Sequence, residues 1–152
     1  MNTLTAAEVQ TLHEAMDDEY HAWASYDQVI SDFGPVRPFA PIRDAEARHA
    51  LALSDLFVRY GLPVPANTWH GRVARHASLQ AACEAAVAAE VANAEMYERL
   101  LATTERPDIL AVLRKLQQAS QQRHLPAFQR CARRGGGGRG AGRRHQGRGA
   151  PP

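Results

Sequence analysis

The sequence predicts an all-α protein: a single four-helix bundle, up-down-down-up, with a long crossover between helices two and three. Three observations carry that prediction. Apolar residues recur in alternating steps of four and three along four separate segments, the period of a helix face and not of a strand. Proline and glycine clusters separate those segments where helices would stop and start. The 152 residues, 45% of them hydrophobic, suffice for one domain with its own core.

The first segment opens at Thr5-Ala-Ala-Glu8, a capping-box pattern in which each side chain satisfies a backbone N–H near the other. Its stripe runs Leu12, Met16, Glu19, Trp23, Tyr26 and Ile30. Gly34, Pro35, Pro38 and Pro41 then interrupt the chain, and Pro41 suits the first turn of a second helix. That helix carries Ile42, Glu46, His49, Leu53, Leu56 and Tyr60 on one stripe and stops at Gly61. Gly61 to Ala77 reads as a connection. Ser78 is the N-cap of a third helix that continues to about Thr103, with Leu79, Cys83, Ala86, Glu90, Ala94, Tyr97 and Leu101 aligned. Pro107 and Asp108 start the fourth, whose stripe is Leu110, Leu113, Gln117, Ser120, His124 and Phe128, with Gln121 flanking. Pro126 removes a backbone donor and clashes with the preceding turn, so this helix should bend there or end soon after His124.

Link lengths set the order of packing. The short turn between helices three and four makes them antiparallel neighbours. The link from helix two to three has about 17 residues and reaches roughly 55 Å when extended, enough to cross a bundle.

No apolar run approaches the roughly 20 residues that span a bilayer. The start, MNTLTAAEVQTL, lacks the basic and apolar regions of a secretory signal, so the expected address is cytoplasmic, with no membrane partner. Cys83 and Cys131 fit neither a disulfide framework nor a clustered zinc site, and Cys83 reads as a small buried thiol. The formal charge of +2 is uneven, because the stretch from Arg130 to Pro152 holds seven arginines and no acid. Removing those seven from 18 bases leaves 11 against 16 acids, about −5 for the rest. The expected boundaries are 1–131 for the bundle and 132–152 for a Gly/Arg-rich tail too poor in apolar side chains to fold. Such a tail can bind nucleic acid weakly and without sequence preference, through phosphates. It has no aromatic interleaved for stacking, and an idle solvated extension is the equal alternative.

Each helix carries a metal-capable residue on its apolar stripe: Glu19, then Glu46 with His49, then Glu90, then His124. An ionised carboxylate in a core is costly unless it is paired or bound to metal. Four helices sharing that costly choice point to one shared cause, and clustered divalent ions supply it. The height of Glu90, about 13 residues before one helix end, coincides in an antiparallel pair with Gln121 and His124, about 13 and 16 after the other's start. Glu19 and Glu46 match less well and need extra helical turns in the Pro-rich link. Tyr26 and Tyr97 read as core aromatics and Met16 as packing. His13, His21, His70 and His76 have no assigned role.

Glu19, Glu46-x-x-His49, Glu90 and a helix ending in His124 together resemble the ferritin-like di-iron carboxylate superfamily. That superfamily places single glutamates on two helices and Glu-x-x-His on the other two. The stretches EARHALALSDLFVRYGLPVP, AAEVANAEMYERLL and ASQQRHLPAF are similar to a small bacterial ferritin-like domain of unknown function, related to rubrerythrin and erythrin. The resemblance covers Leu4 to about Arg130. It implies that Glu19 and Glu90 are the single carboxylates, that Glu46 bridges two metals, and that His49 and His124 each cap one. It implies iron, two per chain expected and one allowed, with manganese or zinc still open. The implied chemistry is oxidoreductase in kind, Fe(II) oxidation by dioxygen or peroxide, and a homodimer along a helix face is the implied assembly.

Two positions depart from the family pattern. Gln121 stands where the second motif has its glutamate, and Asn93 stands where rubrerythrin-like proteins often carry another. Three carboxylates leave about one positive charge on two ferrous ions, which makes one metal or an asymmetric pair the alternative. Two further classes stay open: a nucleic-acid-associated protein acting through its tail, and a metal-free structural bundle with a buried hydrogen-bond network.

Overall fold

In a computed structural model, which describes residues 3–134, the chain folds into four helices with no strand among the described residues. Helix α1 spans Ala6–Phe33, α2 Phe39–Arg59 and α3 Leu79–Leu101. Helix α4 begins at Pro107 and runs in α geometry to Ala119. It continues through a wider π turn at Ser120–His124 and then as α-helix over 125–134.

The helix starts follow from their sequence. Thr5 and Glu8 form the full capping box, with Thr5 N–H on Glu8 Oε1 at 2.9 Å and Glu8 N–H on Thr5 Oγ1 at 3.1 Å. Ser78 Oγ accepts from the Ala81 N–H, and Pro107 occupies the first turn of α4. Gly34 ends α1 and Gly61 follows α2, both at positive φ, where a side chain would be strained.

Contacts across the bundle give the topology. Along α1 and α2, Asp27 meets Arg43 and Glu19 meets His49, so the two run antiparallel. Tyr26 reaches Glu90, while near the other end Thr11 reaches Thr103, so α1 and α3 are antiparallel as well. Ser120 on Glu90 and Gln117 on Ala94 set α4 antiparallel to α3. The result is up-down-down-up. The crossover after α2 lies along α1, held by Tyr20 Oη on the Pro65 carbonyl at 2.7 Å, Trp69 Nε1 on Asp17 at 3.0 Å and Arg75 on Asp32 at 2.6 Å. Among the described residues no helix is long and apolar enough to cross a membrane.

Two apolar clusters fill the interior. One holds Leu12, Met16, Leu53, Phe57, Leu113 and their neighbours, and the other holds Tyr26, Phe39, Cys83, Phe128 and Cys131. Glu19, Glu46, Glu90 and His124 are buried with them.

Three expectations change. Of the two outcomes expected at Pro126, a bend or an end, the end does not occur: the helix runs eight residues past it. The π turn just before the proline, closed by the Leu125 N–H on the Ser120 carbonyl, spreads the backbone where the proline ring would meet the preceding turn. Cys83 is not a free thiol, because it forms a disulfide with Cys131, Cα atoms 5.9 Å apart. The continuation of α4 past Pro126 is what carries Cys131 back onto α3. Helix also covers the first three residues of the segment expected to be tail, and the remainder, 135–152, lies outside the described residues. The extra turns expected near the Pro-rich link do form, since α1 reaches Phe33 and α2 starts at Phe39.

Glu8 ties three elements together. Beyond its cap, it accepts from Thr104 Oγ1 at 2.5 Å and from Arg106 Nε at 3.1 Å. The Thr104 hydroxyl, then the Thr5 N–H and Arg106, hold its carboxyl at about 2, below the usual 4.5. A depressed carboxyl stabilises the fold above its unfolded value and loses that contribution as pH falls through its folded one. Glu8→Gln is therefore expected to melt lower than the parent at neutral pH. In thermal melts run from pH 4.5 down to 2, that gap should close.

Candidate metal centre

The four helices deliver one ligand-capable group each to a common layer, and α2 delivers two. Glu19 is 1% exposed, Glu46 2%, Glu90 3% and His124 4%, so water cannot pay their desolvation and partners must. His49, with 13% of its side chain accessible, forms the outer edge.

The groups sort into two trios that share Glu46: Glu19, Glu46 and His49, and Glu46, Glu90 and His124. In each trio one donor atom per residue lies within 4.8 Å of the others. His49 Nδ1 is 3.5 Å from Glu19 Oε2 and 3.5 Å from Glu46 Oε2. His124 Nδ1 is 2.9 Å from Glu46 Oε1 and 3.2 Å from Glu90 Oε1. The two imidazoles stack, centroids 5.6 Å apart and 17° between planes. All five residues singled out in the sequence thus come together, and the arrangement can hold a metal ion.

Tyrosines fix the carboxylates. Tyr97 Oη donates to Glu19 Oε1 at 2.5 Å, and Tyr26 Oη donates to Glu90 Oε2 at 2.5 Å. Ser120 Oγ adds a bond to Glu90 Oε1 at 2.9 Å. One oxygen stays unserved: Glu19 Oε2 is buried without a hydrogen-bond partner. An orphan acceptor aimed between a carboxylate and an imidazole is what a cation would satisfy.

Burial and the facing Glu46 push the Glu19 carboxyl up to about 8. Burial acts on Glu46 in the same sense, but its contacts with Glu19, His124 and His49 outweigh it and hold Glu46 below the usual value. Burial would lower both histidines, yet the carboxylates beside them raise His49 to about 9 and His124 to about 10. Without metal, protons therefore do the neutralising. Burial first, then the negative carboxylates, keeps both tyrosines well above their ordinary value, so they stay donors.

Several participants escaped sequence reasoning. Tyr26 and Tyr97 are core aromatics, as expected, but also position the carboxylates. Their signal was present: each lies seven residues after a seam glutamate, Glu19 to Tyr26 and Glu90 to Tyr97. Ser120 lies on the stripe as expected, but its bond to Glu90 was not foreseen; Gln121 is exposed. Asn93 donates to a fourth acid, Asp18, which burial and the nearby Glu19 and Glu90 raise to about 7 against that bond. Asp18 lies off the apolar stripe, and no spacing pointed to it.

On one side, a cleft of about 430 Å³ between α2 and α4 reaches His49 and His124 past a rim of Arg48, Lys115 and Arg123. On the other, a water-sized cavity of about 30 Å³ lies among Asp18, Tyr26, Glu90 and Asn93.

The fold and these residues define a class: an all-α four-helix bundle with a buried glutamate–histidine cluster able to hold metal. Protein-family models and curated protein sequences give no match to the chain. Among solved structures it is similar to that of hypothetical protein MJ0754 from Methanococcus jannaschii DSM 2661, with a TM-score of 0.79 and 20% identity. That likeness covers 90% of this chain and 85% of the archaeal one, and it is a likeness of fold.

Two outcomes are expected. Tyr97→Phe leaves Glu19 without a hydrogen-bond donor closer than His49 at 3.5 Å, and should lower the unfolding free energy of the metal-free protein by about 1–3 kcal/mol, read from denaturant melts. Imidazoles must lose a proton to bind metal. Divalent-ion uptake should therefore release protons into weak buffer, and apparent affinity should climb as pH rises from 6.5 towards about 10.

Proposed function

We propose that this protein is a ferritin-like metal protein whose Glu/His centre holds two iron ions and supports redox chemistry with dioxygen or peroxide. The observation that carries the reading is the pair of donor trios sharing Glu46, with the orphan Oε2 of Glu19 inside one of them. Carboxylate and imidazole donors suit first-row divalent ions, iron among them, and the likeness to the di-iron carboxylate pattern selects iron. Iron bound here would supply electrons, one from each ferrous ion.

The chain's own residues do the rest. Glu46, shared by both trios, would contribute to holding both ions, with Glu19 and His49 holding one and Glu90 and His124 the other. Tyr97 and Tyr26 keep Glu19 and Glu90 from swinging away, so the ligands are held before metal arrives. The cleft beside the histidines admits a small oxidant, and its cationic rim favours an anionic one.

The test is an anaerobic Fe(II) titration of metal-free protein, followed by oxygen. Two bound irons per chain and a new near-ultraviolet absorption on oxidation are expected. One iron would reduce the centre to a single site, and none would sink the proposal. At iron a hundredfold above its dissociation constant, the fold should gain about 2.7 kcal/mol for each site filled. Glu46→Ala combined with His49→Ala should abolish both the binding and that gain.

A further inference from the structure

The Cys83–Cys131 pair is a disulfide that the proposed chemistry leaves unused. Its placement relates it to the centre. On α3, Cys83 lies seven residues before Glu90, and past the π turn Cys131 lies seven residues after His124. Seven helical residues are two turns, about 10 Å of rise. Both cysteines therefore belong to the two helices that supply Glu90 and His124, two of the three ligands of one trio, each two turns away along its helix.

The space between is packed. Cys83, Cys131, Tyr26 and Phe128 share one buried cluster. The Tyr26 and Phe128 rings lie 5.1 Å apart between centroids, and the Tyr26 hydroxyl meets Glu90 at 2.5 Å. The cluster that holds both cysteines thus also holds Tyr26, whose hydroxyl bonds a ligand of the centre.

We propose that Cys83 and Cys131 are a two-electron store for the Glu/His centre: as a dithiol they return two oxidised iron ions held there to the ferrous state. The proposal rests on the reading of the centre as a two-iron site. The electrons balance. The two thiols lose two electrons and two protons and form one S–S bond, and each of two ferric ions takes one electron. The protons leave towards solvent on the Cys131 side, the more open one, with Cys131 7% exposed against 0% for Cys83.

Recharging uses an external dithiol and enters from that side too. One external thiolate attacks the Cys131 sulfur, the S–S bond breaks, and Cys83 leaves as a thiolate that takes up a proton. The second external thiol then resolves the mixed disulfide. It carries the oxidation away as an external disulfide and leaves the protein's pair reduced.

The experiment uses the full chain. Protein is reduced with dithiothreitol, freed of it without oxygen, and loaded with Fe(II), and the bound iron is counted. One equivalent of hydrogen peroxide per chain is added. At intervals, samples are unfolded in an alkylating agent for mass spectrometry, and ferrous iron is measured with a chelating dye. Ferrous iron should fall and then return in step with the loss of both alkylation sites, two ferrous ions for each disulfide formed. In iron-free protein given the same peroxide, the buried thiols should oxidise at least about tenfold more slowly. Cys83→Ser/Cys131→Ser protein that still binds iron should leave its iron ferric after the pulse.

Equal thiol loss with and without iron would overturn the proposal, leaving a cross-link made directly by the oxidant. So would thiols that stay reduced beside ferric iron. If the double variant does not fold, the wild-type arms with and without iron still decide. Should no iron bind at the outset, the two-iron reading itself fails and takes this proposal with it, and the initial iron count separates that result from the others.

Discussion

Three carboxylates buried at one level of a helical bundle set the terms for everything around them. Taken out of water, Glu19, Glu46 and Glu90 repel one another and lose hydration, and a core of leucine and phenylalanine offers nothing in return. The chain answers with two imidazoles, two tyrosine hydroxyls and a serine, all within the same layer. The apolar clusters have the easier task of closing the bundle over a layer that water would otherwise enter.

The fold is arranged so that those partners come from different helices. His49 is the only one of these partners that contacts a carboxylate of its own helix, Glu46, and it also contacts Glu19 on α1. His124 on α4 faces carboxylates from α2 and α3. The long crossover makes this possible by setting α3 antiparallel to α1, and its own pins to Tyr20, Asp17 and Asp32 keep it along that helix. The ends of the bundle are secured separately, by the Glu8 junction at one and the cysteine pair at the other.

Much of this could be read from residue types at helical spacing. Charged groups on otherwise apolar stripes marked Glu19, Glu46, His49, Glu90 and His124, because the cost of burying them makes chance placement rare. Thr5 with Glu8 and Ser78 marked helix starts through local capping, which needs no tertiary knowledge. What stayed hidden depended on distant geometry. The π turn has no signature in SQQRH, and helical spacing, which already put Ser120 on the stripe and Gln121 beside it, gave no sign that Ser120 would bond Glu90. The disulfide needed α4 to pass Pro126, which the ordinary rule for proline argued against. Asp18 sits off its stripe, and its role depends on Asn93 across the α1–α3 contact.

The tyrosines give the centre one more property. Glu19 and Tyr26 on α1, and Glu90 and Tyr97 on α3, have the same spacing, and each tyrosine serves the glutamate of the other helix. The two helices are therefore locked like clasped hands, and neither can shape its own ligand alone. A chain with every helix formed but α1 and α3 undocked would hold the same side chains and no centre. The centre and the native bundle thus appear in one cooperative event, and its occupancy would report that the chain has finished folding.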